Sequence, residues 1–309
     1  MIVIFDTNIY RTLIGKKSDK EISSCFDIIK KAETKKNIIT NASAAVGLEL
    51  ASNILNSNKR IANSCLKATY AMISHCINKD ENLTWLSLSY NLLAKKYFNF
   101  EIPCFKELEK LLFAAINDIS ENKSISDKDK MIPESIKKLN SLGEESFVNS
   151  IRDFITQIDK TTTNWQIKFN SPKERKKYTD FINSDDFLNI YIDSMINTLK
   201  DYIPEEKRKG IKYDYIINDY KDNFKIPFIF RKNLMMRFPR EDYIMDRKSR
   251  ANYLWDEMIL HLANQQTSDG ECTILVTEDK EMYKAVKEYD SSVPIYKMEE
   301  YLKMLGINL

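Results

Sequence analysis

The sequence predicts an α/β core on a mostly parallel sheet, split along the chain by a large all-helical insertion, and three observations carry that prediction. The chain opens on an apolar run, Ile2-Val-Ile-Phe5, β-branched at three of its four positions, which reads as a strand buried on both faces. Strand and helix signals alternate at both ends of the chain, the rhythm of a wound parallel sheet. Between them lies a long stretch with apolar residues at three- and four-residue spacing, and only 6 glycines and 7 prolines in 309 residues leave room for long helices. The resulting division is 1–58 for the first half of the core, 59–240 for the insertion and 241–309 for the second half. The insertion alone has the size of an ordinary domain.

In order, the Ile2 strand runs straight into Asp6, with Asn8 two positions later. Ser18-Asp-Lys-Glu21 has capping-box spacing and opens a helix whose apolar positions Ile22, Phe26, Ile29 and Ala32 keep helical period to about Lys36. Asn37 to Thr40 is a second short strand, ending at Asn41 or Ser43 as the cap of a helix that carries Ala45, Leu48 and Glu49. Helical segments follow near 60–77, 85–98, 105–121, 134–159, 174–202 and 213–224, with a short strand-like run from Ile226 to Phe230. Residues 120–130 and 204–212 are charged, poorly periodic connectors. The α/β rhythm then resumes. Asp246 or Ser249 can cap a helix burying Ala251, Leu254, Trp255, Met258, Ile259 and Leu262. Cys272 to Thr277 reads as a strand, Lys280 to Tyr289 as a helix, Val293 to Tyr296 as the last strand and Met298 to Leu305 as the last helix.

Composition narrows the function classes. A net charge of +2 gives no bulk attraction to polyanions, so any nucleic-acid affinity must come from a local patch. The 5 cysteines are scattered without a CxxC pair, which points away from a disulfide framework and from a cysteine zinc site. With 2 histidines, His75 and His261, neither a histidine zinc site nor a Ser-His-Asp triad is expected. His261, on a helix beside core residues, reads as a packed histidine. The absence of a signal peptide and of a long apolar run leads to the expectation of a cytoplasmic protein without a membrane partner.

The chemistry lies in the carboxylates. Two strands, one at each end of the chain, finish alike: Ile2-Val-Ile-Phe leads to Asp6, and Ile274-Leu-Val-Thr leads to Asp279. If these strands are neighbours, both acids meet at the carboxyl edge of the sheet, where open α/β sheets bind ligands. Glu49 lies about one turn into the helix after the second strand. Asp256 stands at the flank of an apolar helical stripe, on the same side as Asn252, whereas Glu257 lies opposite the stripe and should face solvent.

These stretches together resemble the PIN-domain nucleases. The residues that carry the likeness are Phe5-Asp6-Thr7-Asn8, Val46-Gly47-Leu48-Glu49-Leu50, Trp255-Asp256-Glu257-Met258-Ile259 and Leu275-Val276-Thr277-Glu278-Asp279, within about 1–56 and 245–309. The resemblance implies a PIN-like three-layer core, with Asp6, Glu49, Asp256 and Asp279 as the catalytic, metal-binding acids and Asn8 and Thr277 as polar supports. Asn252 joins these as a supporting residue through its shared side with Asp256. It also implies RNA rather than DNA as substrate, and brings bacterial toxin and phage-defence roles into view. A physical reason for a metal stands beside it. Two unit charges about 4 Å apart repel by about 4 kcal/mol at an effective dielectric of about 20, so four converging carboxylates need a cation. An oxygen-only set suits Mg²⁺ or Mn²⁺ better than Zn²⁺.

A run of basic residues, Arg231, Lys232, Arg237, Arg240, Arg247, Lys248 and Arg250, is interleaved with Phe238, Tyr243 and Tyr253 and is the candidate nucleic-acid contact. The insertion is expected to act as a lid or arm over the site, or as a surface for a protein partner or a second copy. Two rival functions follow from the same residues. One is a non-catalytic scaffold or nucleic-acid-binding module working through the insertion. The other is a haloacid-dehalogenase-like phosphatase, which wants a second acid where Asn8 stands.

Overall fold

A computed structural model of the chain describes residues 1–15, 17–76, 85–122, 131–160, 167–239, 252–263 and 273–308. The first stretch forms β1 (Ile2–Phe5), α1 (Thr7–Ile14), α2 (Asp19–Lys35), β2 (Ile39–Thr40), β3 (Ala42–Ser43) and α3 (Ala44–Asn53). All four side chains of β1 are buried, as a continuous apolar strand between helical layers requires. The capping box forms as spaced: Ser18 N donates to Glu21 Oε2 at 2.7 Å, and Glu21 N donates to Ser18 Oγ at 3.4 Å. The stripe Ile22, Phe26, Ile29 and Ala32 of α2 is buried.

The middle of the chain supplies α4 (Lys59–Cys76), β4 (Trp85–Leu86), α5 (Ser89–Phe98), α6 (Pro103–Asn122), α7 (Met131–Ile158), α8 (Pro172–Ile182), α9 (Asp185–Tyr202), α10 (Glu205–Arg208), α11 (Tyr213–Asn223) and α12 (Lys225–Met235). The chain returns to the sheet through α13 (Tyr253–Leu260), β5 (Thr273–Val276), α14 (Lys280–Tyr289), β6 (Ile295–Tyr296) and α15 (Met298–Leu305). The protein is thus a mostly helical α/β fold around a small four-stranded parallel sheet in the order β2-β1-β5-β6. Among the described residues no helix is long and apolar enough to cross a membrane.

The register decides where the site forms. Phe5 pairs with Val276, so the residues that follow, Asp6 and Thr277, leave the sheet side by side. The first and last parts of the chain therefore share one carboxyl edge. Beneath it, Phe5 packs on His75 of α4 with ring centroids 4.4 Å apart, and edge-on against Tyr301 of α15 at 5.5 Å. Full burial of such a ring contributes about 2 kcal/mol.

Four expectations are corrected. The Ile226 to Phe230 run is not a strand but the body of α12, in which Ile226, Phe228, Ile229, Phe230 and Leu234 are all buried. An apolar run buried on most sides looks alike in either state, and Pro227 sits in the first helical turn, where its missing N–H is tolerated. The helix expected over 174–202 breaks into α8 and α9, because Ser184 leaves helical geometry (φ −87°, ψ 160°) and its hydroxyl accepts from Phe187 N at 3.3 Å. Trp85 and Leu86 begin no helix; they form β4, paired in parallel with β3. The connector over 204–212 contains the short helix α10. The proposed caps Asp246 and Ser249 lie outside the described residues, and α13 is described from Tyr253.

Candidate functional site

Asp6 ends β1 and is 1% exposed. Its backbone N–H donates to Val276 O at 3.0 Å, continuing the β1–β5 ladder one step past the strands. Thr277 Oγ1 donates to Asp6 Oδ2 at 2.9 Å, and Asn8 Nδ2 reaches the same oxygen at 3.3 Å. Thr277 Oγ1 also accepts from Asp279 N at 2.9 Å, so one buried hydroxyl links the two strand-end acids. Asp279 opens α14 as its cap, with Oδ1 accepting from Glu281 N at 2.7 Å and Met282 N at 2.9 Å. Two sequence-adjacent turns and one strand register therefore gather Asp6, Asn8, Thr277 and Asp279.

Glu49 arrives from α3, and Thr7 Oγ1 donates to its Oε2 at 2.6 Å. Asp256 arrives from α13, which packs against α3. Electrostatics ties the four acids together. Burial pushes the Asp6 carboxyl up to about 6, against the pull of Thr277, and the Asp279 charge adds to the rise. Burial pushes Glu49 up to about 7, with the Asp6 charge the next cause. Asp256 is held well above the usual carboxylate range by burial first, then by Asp6, Asp279 and Glu49. Each of these three carboxyls feels at least one other member of the set, the electrostatic signature of acids that converge.

The donor chemistry fits a hard divalent cation, since every group is a carboxylate and hydroxyl or amide donors fix one oxygen each of Asp6 and Glu49. The present rotamers do not close on one point: among the described residues, no group of three His, Cys, Asp or Glu side chains is arranged to hold a metal ion. Repulsion among like charges favours this spread.

Several participants carried no signal in the sequence. Thr7 lay inside the Asp6-Thr-Asn8 motif, and its hydroxyl turns out to hold Glu49. The insertion reaches the site through α7, where Asn140 Nδ2 donates to Leu48 O at 2.9 Å and Glu144 Oε1 accepts from Trp255 Nε1 at 2.9 Å. A contact spanning 111 residues leaves no local pattern to read. Asn41 Oδ1 and Ser43 Oγ, just before α3, are buried without a hydrogen-bond partner, and Ser43 does not use its side chain to cap α3 as its position suggested.

Other candidates stand elsewhere. Asn252 is exposed at the start of α13 and caps it without its side chain, through its backbone oxygen only. Glu257, expected in solvent, is 8% exposed and faces the insertion, because helices of the middle segment cover the side of α13 opposite its core stripe. It pairs with Arg231: Nε donates to Oε2 at 2.8 Å and a terminal nitrogen to Oε1 at 3.2 Å. That pairing takes Arg231 out of the expected nucleic-acid patch. Lys232 pairs with Glu288 at 2.8 Å and Arg237 with Glu281, so neither presents a lone cation. Arg240, Arg247, Lys248 and Arg250 lie outside the described residues. His261 is a packed histidine, 5% exposed, with Nε2 2.8 Å from Tyr220 Oη. Compared with protein-family models, with curated proteins and with solved structures, the chain finds no match in any of the three.

Proposed function

We propose that this chain is a metal-dependent endonuclease of the PIN type that hydrolyses phosphodiester bonds in RNA. The observation that supports the reading is the meeting of Asp6, Glu49, Asp256 and Asp279, drawn from both ends of the chain, in one electrostatically coupled set at the carboxyl edge of a parallel sheet. These four carboxylates would hold Mg²⁺ or Mn²⁺, which would supply a Lewis acid for phosphodiester hydrolysis. Thr277 and Asn8 fix one oxygen of Asp6, and Thr7 fixes one oxygen of Glu49, so that both acids present their remaining oxygens in a constant direction. The choice of RNA and a toxin or phage-defence setting rest on the PIN resemblance, and a phosphatase is disfavoured because the amide of Asn8 cannot protonate a leaving group. The insertion serves as the wall or lid of the site.

The test is cleavage of end-labelled RNA by the purified protein in Mn²⁺, with Asp6→Asn and Asp279→Asn as controls. Cleavage by the wild type that both variants lose supports the reading; equal cleavage by all three contradicts it. The spread of the carboxylates favours a second reading, a non-catalytic scaffold or nucleic-acid-binding module acting through the insertion. A scaffold needs no divalent site, so RNA binding that persists without any Mn²⁺ uptake selects it.

A further inference from the structure

Helix α13 carries two adjacent acids that look in different directions, since successive residues are about 100° apart around a helix. Asp256 faces the acidic set; Glu257 faces the insertion, where it is gripped. Besides the two bonds from Arg231, its Oε1 accepts from Tyr191 Oη of α9 at 2.9 Å. Tyr191 Oη is itself 3.4 Å from Tyr220 Oη of α11, and Tyr220 returns to α13 at His261. The guanidinium of Arg231 lies over the Phe147 ring of α7, 4.5 Å from its centre. Helices α7, α9, α11 and α12 of the insertion thus all bear on the helix that delivers Asp256. Nothing comparable is needed to keep α13 helical, and an apolar contact would bury the same face.

We infer that the Arg231–Glu257 ion pair, completed by Tyr191, is a positioning device through which the insertion sets where Asp256 stands in the acidic site. The inference rests on the metal-site reading above. Arg231, Glu257 and Tyr191 are positioning residues, since each acts through Asp256.

The test compares the full-length wild type with an Arg231→Met/Glu257→Met double variant, in which apolar side chains replace the pair; such replacements of buried pairs are often tolerated by the fold. Tyr191→Phe, which removes one bond to Glu257, is the milder variant. Thr156→Val is the control, because Thr156 donates to Arg152 O at 2.9 Å within α7, on its exposed side. Mn²⁺ affinity is measured by calorimetry. The position of α13 is read by fluorine NMR of 5-fluorotryptophan at Trp255, one of 3 tryptophans, assigned with Trp255→Phe. The expected result is Mn²⁺ binding about tenfold weaker in the double variant, a smaller loss in Tyr191→Phe and none in Thr156→Val. The Trp255 resonance moves in the same order. Wild-type affinity and an unmoved resonance in the double variant overturn the inference, as does an equal loss in Thr156→Val. A wild type that takes up no Mn²⁺ overturns the metal-site reading instead, and the resonance alone then decides whether the pair positions α13.

Discussion

Glu33 and Asp6 are equally buried, each 1% exposed, and their carboxyls are driven in opposite directions. Burial alone would raise Glu33, but the charge and hydrogen bonds of His75, with Thr40 and Tyr301, bring it below the ordinary range. Its oxygens accept from Thr40 Oγ1 at 2.7 Å and Tyr301 Oη at 2.7 Å, with His75 Nε2 at 3.0 Å. Asp6, one residue past the Phe5 ring that packs on His75, has two polar side-chain donors on one oxygen and other acids nearby. Equal burial therefore leaves the two carboxyls on opposite sides of the ordinary range, according to the partners each one meets. The Glu33 cluster is a satisfied joint between α2, α4, β2 and α15. In the Asp6 cluster, burial and neighbouring acids raise the carboxyls and so disfavour their charged forms.

The largest expected effect breaks the satisfied cluster. Glu33→Ala leaves His75 and Tyr301 buried without their partner and should destabilise the fold by about 3 kcal/mol or more in urea unfolding. An unchanged midpoint would remove the distinction drawn between the two clusters. At the acidic edge the same kind of change should act oppositely. Asp6→Asn keeps an oxygen to accept from Thr277 and Asn8 and removes a desolvated, repelled charge, so stability at pH 8 should rise by about 1–2 kcal/mol. RNA cleavage should fall by more than about 100-fold, beyond the loss seen when a metal's outer partners are removed. Asp279→Asn should lose cleavage equally while leaving stability near wild type, because Asn caps a helix as well as Asp.

A pH series sharpens the contrast. Asp6 at about 6 and Glu49 at about 7 lie above their unfolded values, so between those values and the ordinary carboxylate range the folded state binds more protons than the unfolded. Stability in the absence of divalent ions therefore rises as pH falls from about 7 toward about 4.5. Glu33 is depressed, so its contribution is fully present above its unfolded value and is lost as pH falls through its folded value. Melting temperature in chelator should pass through a maximum at mildly acidic pH. A monotonic rise up to pH 8 would contradict the raised values at the acidic edge. The smallest effect is expected from Thr277→Val, which removes one hydroxyl between Asp6 and Asp279: about 1 kcal/mol of stability in thermal melts, with weaker Mn²⁺ binding than Thr277→Ser.

The acidic edge was legible because its parts are local. A strand that ends in Asp can be read from four apolar residues, and two such strands suffice to place Asp6 beside the Thr277 to Asp279 turn once they pair. The capping box of α2 is legible for the same reason. What could not be read depends on what covers a helix. Glu257 looked solvent-facing because only the core stripe of α13 is visible in its spacing; the second layer comes from Arg231 and Tyr191, elements distant in sequence. Arg231 looked like a phosphate contact for the same reason, since a run of cations carries no mark of the acid that one of them meets. The Ile226 to Phe230 run shows the remaining limit, an apolar stretch whose burial on most sides erases its period. Glu33 and His75 are 42 residues apart, and their pairing likewise left no spacing to recognise.

The proposed function requires that Asp6, Glu49, Asp256 and Asp279 form a divalent-cation site. It is tested most directly by calorimetric titration of the metal-free wild type and Asp6→Asn with Mn²⁺ at pH 7, in two buffers of different ionisation enthalpy. A metal site here predicts saturable binding to the wild type with proton release, seen as a buffer-dependent heat, because Glu49, raised to about 7, must give up its proton to bind. It predicts no such binding to Asp6→Asn. Equal titrations of the two proteins, or no saturable heat in either, would contradict it.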